Sequence, residues 1–127
     1  MTSGPTLDAG ALLALERADE RVRALLRRAI QQGWELHIVA GVGARTWRGG
    51  PRQARLARLL AASEVSVPPL DEVMARAVGV LCGRRSGHAD IGDVHVALHA
   101  REHGHAVVTS DPNDIALVDP SLRVITV

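Results

Sequence analysis

Val107-Val108-Thr109-Ser110-Asp111-Pro112-Asn113-Asp114 carries the reading of the fold. The stretch passes in eight residues from an apolar, β-branched run to an acid and then to a proline. Residues 106–109 suit a short buried strand. Asp111 followed by Pro112 is a helix start, with a side-chain acceptor before a proline in the first helical position. The opening of the chain repeats the pattern. Pro5-Thr6-Leu7 reads as a strand with Asp8 at its end, and helical signal follows over residues 11–15. Two strands that each deliver an aspartate into a following helix point to an α/β domain.

The segments between extend this alternation. Over residues 21–32, Val22, Leu25, Leu26, Ala29 and Ile30 fall at helical spacing, and Gly33 ends the helix. Residues 36–39 form the second predicted strand and 41–48 a short helix, stopped by Gly49-Gly50-Pro51. A second amphipathic helix is expected over 52–62 and a third strand over 65–67. Asp71 is placed to cap a helix over 72–83. A helix over 90–103 closes at Gly104, and residues 123–127 form a terminal strand. The expectation is a single domain over 1–127, with a mostly parallel central sheet and helices on both faces. Periodicity leaves the strand order open.

Composition narrows the function. The chain has 127 residues, two Trp and no Phe or Tyr, so Leu, Val, Ile and Ala must build the core. Every basic residue among its 15 is Arg, yet the net charge is only +1, so any affinity for nucleic acid must come from local patches. Cys82, the single cysteine, sits in apolar surroundings and reads as a buried structural thiol. No apolar run approaches the ~20 residues that span a bilayer, and no signal peptide opens the chain, so a cytoplasmic location without membrane attachment is expected.

The acids deserve separate readings. Asp8, in an apolar stretch at a strand end, would be costly to bury without a partner. Asp90 and Asp93 share a face near the start of one helix, and Asp114 lies one turn past Asp111. In open α/β sheets ligands bind beyond the carboxyl ends of the strands, where Asp8 and Asp111 both project if their strands are parallel. Such a cluster suits a hard divalent cation. The structural alternative is capping, for Asp111, Asp90 and above all Asp71. Arg52, Arg55 and Arg58 share a helical face that either follows an RNA backbone or is simply solvated. Trp47 either stacks a base or fills the core. His95, His99 and His103 recur every four residues, a spacing that can bind zinc, but a solvent- or partner-facing stripe is the expected role.

Taken in order, Thr6-Leu7-Asp8-Ala9-Gly10-Ala11-Leu12, Thr46-Trp47-Arg48-Gly49-Gly50, Asp90-Ile91-Gly92-Asp93-Val94 and the 107–114 stretch resemble PIN-domain ribonucleases of the VapC toxin type, over nearly the whole chain. The resemblance implies a Mg²⁺- or Mn²⁺-dependent endoribonuclease, the toxin of a type II toxin–antitoxin pair. It also implies a homodimer, held inactive by a small antitoxin protein. By position, Asp8, Asp93 and Asp111 match the metal-holding acids, with Asp114 catalytic and Asp90 accessory, while Arg48, Arg52 and Arg55 would position RNA. Arg45 departs from the family, which often carries Glu there. A cation about 5 Å from a doubly charged ion costs about 6–7 kcal/mol at an effective dielectric of about 20. The alternative is therefore a catalytically impaired domain that binds RNA or an antitoxin without cutting.

Overall fold

The computed structural model describes residues 3–84 and 90–127. Its centre is a five-stranded sheet: β1 (Ser3–Leu7), β2 (Glu35–His37), β3 (Val65–Ser66), β4 (Val107–Thr109) and β5 (Val124–Thr126). The order is β3-β2-β1-β4-β5 and every pairing is parallel. The parallel α/β architecture expected from the sequence is the one observed.

Among the described residues seven α-helices connect the strands: α1 (Ala9–Glu16), α2 (Glu20–Gln32), α3 (Ala40–Thr46), α4 (Ala54–Ala61), α5 (Glu72–Arg84), α6 (Ile91–His103) and α7 (Pro112–Val118). The predicted helix over 52–62 is two elements, a 3₁₀ turn at Pro51–Gln53 and then α4. Gln53 explains the break. Its buried amide donates to Thr46 O and Glu16 Oε1 and accepts from the N–H groups of Arg48 and Gly49, so its side chain stitches the loop. Gly33 and Gly104 end α2 and α6 in the left-handed conformation at φ 70 and 67, where a side chain would be strained.

The core gathers on both faces of β1 and β4, the central pair. Leu7, Val107 and Val108 are fully buried, as are Leu12, Leu36, Ile38 and Leu56 around them. A smaller cluster of Val78, Val94, Ala97 and Val118 joins α5, α6 and α7. α6 packs against β1, α3, α5 and α7, so it is covered on most sides. That corrects the expected solvent-facing histidine stripe: His95 and His99 are buried and, of the three, His103 alone is exposed. Trp47 does not fill the core. α3 stops at Thr46, and Trp47 in extended conformation is 43% exposed. Cys82 is half-buried rather than buried.

Candidate active site

Strand order decides where a ligand can sit. From β1 the chain builds outward through β2 and β3, then returns to place β4 on the other side of β1. The connections diverge at the carboxyl ends of β1 and β4, which leaves a crevice there. Asp8 follows β1 and Asp111 stands two residues past β4.

Asp8 is 5% exposed and held from several directions. Its N–H donates to Val108 O at 3.0 Å. Its Oδ1 accepts the Ala11 N–H at 2.9 Å, which makes Asp8 the N-cap of α1. The Thr109 hydroxyl also donates to its carboxylate. Burial raises the pKa of Asp8 above the usual carboxylate value. The Thr109, Ala11 and Gly10 hydrogen bonds oppose that, and the charge of Asp114 adds to it.

Asp93 lies in the first turn of α6, positioned by Asp90, whose Oδ1 caps the helix by accepting the Asp93 N–H at 3.0 Å. Its pKa is pushed up to about 6, first by burial and then by the Asp90 carboxylate. Arg45 pulls it down, while Asp114 and Asp8 raise it further. Asp8, Asp93 and Asp114 thus feel one another across the crevice. Asp111 is exposed at the start of α7, and its side chain makes no capping hydrogen bond. It is not among the charges that act most on Asp8 and Asp93. Its backbone N–H donates to Thr109 Oγ1 at 2.9 Å. Asp71 caps α5 by accepting the Met74 N–H, in line with its structural reading.

Thr109 is the residue that motif reasoning passed over. It is fully buried, donating to Asp8 and accepting from Asp111. The available signal was a hydroxyl at the last position of a buried strand, two residues before an acid.

Arg45 reaches the rim of the cluster. Its Nη1 lies 2.5 Å from Asp90 Oδ2, and the two side chains are 52% and 40% exposed. The other arginines spread out. Arg48 and Arg52 are exposed, and Arg48 donates to the carbonyls of Trp47 and Ala44. Arg55 donates to Glu16 O and lines a groove between α2 and α4. Leu15, Leu26 and Leu59 form the floor of this groove, while Arg23, Arg27 and Arg58 join Arg55 around it.

The acidic crevice suits a hard divalent ion by its chemistry. Its donors are carboxylate oxygens, and Asp93 is destabilised as an anion by burial and by neighbours of its own sign. Among the described residues these acids do not bring three oxygens within 4.8 Å of one another. Coordination by few carboxylates, with water completing the shell, is the Mg²⁺-like mode that such spacing permits.

No protein-family profile matches the chain, and neither does any curated protein. Solved structures do. A chain of the FitAcB crystal structure from Neisseria gonorrhoeae superposes with a TM-score of 0.63 at 20% identity, covering 95% of this chain and 96% of the other. The structure of FitAB bound to an IR36 DNA fragment gives 0.61 at 18% identity, covering 95% and 93%. VapBC2 from Rickettsia felis, bound to a DNA fragment from their promoter, gives 0.69 at 15%, covering 99% and 98%. The likeness runs end to end, so the chain has the PIN-like α/β fold of these structures.

Proposed function

We propose that this protein is a divalent-metal-dependent endoribonuclease, the toxin of a type II toxin–antitoxin pair. The observation that carries this reading is the placement of Asp8 at the end of β1, beside Thr109 of β4, with Asp93 in the first turn of α6 and Asp114 in the first turn of α7. Mg²⁺ or Mn²⁺ held there by Asp8 and Asp93 would supply an activated water and would neutralise charge on the phosphodiester under attack. Asp114 faces both ligands electrostatically and is suited to orient water. Asp111, further out, is the weaker candidate for the inner shell. Thr109 fixes the Asp8 carboxylate, and Asp90 sets the start of α6 and so the position of Asp93. Arg48 and Arg52, both exposed, are available to the RNA backbone.

Arg45 argues for the impaired alternative only if its charge falls on the metal. It is paired with Asp90, and both groups are open to solvent. At the dielectric of water a cation about 5 Å from the ion costs about 2 kcal/mol, and the Asp90 carboxylate offsets much of that. Arg45 therefore weakens metal binding without abolishing it.

The partner reading has support of its own. FitAcB, FitAB and VapBC2 are complexes by their names. The arginine-rimmed apolar groove between α2 and α4 suits an amphipathic antitoxin segment with acidic flanks. α5 leaves Val73 80% and Val80 57% exposed, seven residues apart on one face, which suits a homodimer.

Incubation of the purified protein with total RNA and Mn²⁺ tests the activity. We expect cleavage that chelator stops and that Asp8→Asn and Asp93→Asn reduce by at least about a hundredfold. Equal cleavage by wild type and Asp8→Asn would exclude this site as its source. No cleavage by wild type, with cleavage by Arg45→Glu, would favour the impaired binding module.

A further inference from the structure

Six residues along α6 from Asp93, about 9 Å by helical rise, the same helix enters a second cluster of ligating groups. His37 ends β2, His99 lies in α6, and His105 stands between α6 and β4. We propose that His37, His99 and His105 form a binding site for a divalent transition-metal ion of the zinc class, separate from the aspartates.

One ring nitrogen from each of the three lies within 4.8 Å of the other two, and all three residues are buried. It is the only such group among the described residues. Three borderline imidazole ligands select zinc-like metals over Mg²⁺, whose preference is oxygen. His37 Nδ1 and His99 Nε2 lie 2.7 Å apart, within hydrogen-bonding distance. A metal taking both nitrogens, at about 2.0–2.1 Å from each, needs the rings to part slightly. Both nitrogens must also be unprotonated. The tautomers with His37 N–H on Nε2 and His99 N–H on Nδ1 deliver this with no net change of charge.

The surroundings match what orients metal-bound imidazole. Glu35 Oε1 lies 2.8 Å from His37 Nε2, off hydrogen-bonding alignment as the chain stands but within reach of it. Thr6 Oγ1 holds His105 Nδ1 at 2.9 Å. Gly4 backs directly onto the His105 ring, where a Cβ would come within 2.7 Å of it. His103 stacks on His99 with centroids 4.1 Å apart. A cavity of about 480 Å³, lined in part by His37, His99, His103 and Glu102, opens onto the cluster and leaves room for a fourth ligand from solvent. Burial and mutual repulsion keep His99 and His105 neutral, with pKa values lowered to about 3 and about 4. Neutral imidazole is the form with a lone pair to give.

Titration of the purified chain with Zn²⁺ by calorimetry, and with Co²⁺ by visible absorption, decides the matter. We expect one ion per chain and the visible bands of tetrahedral Co²⁺. Excess Mg²⁺ and Asp93→Asn should leave binding unchanged, which separates this site from the acidic one. His99→Gln should weaken binding by more than about a hundredfold, and Glu35→Gln, at a half-exposed position, by about 10–100-fold with the fold intact. Saturating Zn²⁺ should raise the melting temperature by about 5–15 °C, because the ion ties β2 to α6 and to the turn before β4. No binding by wild type would overturn the proposal, leaving the imidazoles as aromatic filler in a core without Phe or Tyr. Binding unchanged in both His99→Gln and Glu35→Gln, or abolished by Asp93→Asn, would overturn it equally.

Discussion

Asp93 sits where its charge is unwelcome. Its pKa of about 6 in the fold lies above the value near 4 of an unfolded chain. Between those two pH values the folded state holds more protons than the unfolded state, so stability falls as pH rises through the window. Above about pH 6 the full penalty applies, and below about pH 4 none does. Asp93→Asn should therefore stabilise the protein at pH 7 by about 1–2 kcal/mol after allowance for solvent screening, and do nothing at pH 3.5. Thermal melts at the two pH values check this, and a Tm unchanged at pH 7 would contradict the electrostatic reading. Asp8 stood out in the sequence as a candidate because an acid closing an apolar strand has few structural roles, and it is also the N-cap of α1. The sequence reading put Asp111 ahead of Asp114 as a metal ligand, whereas it is the charge of Asp114 that acts on Asp8, a difference that one helical turn of sequence does not reveal. The partner of Arg45 was hidden for a related reason: Asp90 is 45 residues away in sequence.

At the scale of elements, the loop from α3 to α4 hangs on one amide. Gln53 is 6% exposed and makes four hydrogen bonds that link α1, the end of α3 and the turn at Arg48 and Gly49. Gln53→Leu keeps the volume but strands buried donors and acceptors, and should cost about 2–4 kcal/mol, read by denaturant melts. A loss below about 1 kcal/mol would mean that water replaces the amide. Apolar periodicity could not reveal this break, because Gln53 interrupts a helical pattern without a proline or glycine in its place. Periodicity also misjudged α6. His95 and His99 look polar by residue type, yet the helix is enclosed on most sides and buries them as it would apolar groups.

For the whole molecule, the alternation of strands and helices was enough to predict a parallel α/β sheet, whereas the order β3-β2-β1-β4-β5 was not readable. That order assembles both candidate sites. Placing β4 against β1 joins Asp8 to Thr109, and placing β2 on the other side of β1 sets His37 level with Thr6, which holds His105. Local pattern carries no information about which strands become neighbours, so the acids were seen as candidates but the histidine trio was not. At the rim of the acidic crevice Arg45 is paired with Asp90. In Arg45→Glu the local field should favour a cation more, so Mn²⁺ affinity should rise by about tenfold or more.

Calorimetric titration of Mn²⁺ into wild type, Asp8→Asn and Arg45→Glu at pH 7.5, repeated at pH 5, tests the central claim most directly. Wild type should bind the ion, Asp8→Asn should lose that binding, Arg45→Glu should strengthen it, and it should weaken at pH 5 as Asp93 takes up its proton. A wild-type protein that binds no Mn²⁺ at pH 7.5, or an Asp8→Asn variant that binds it as well as wild type, would contradict a metal-dependent nuclease centred on these aspartates.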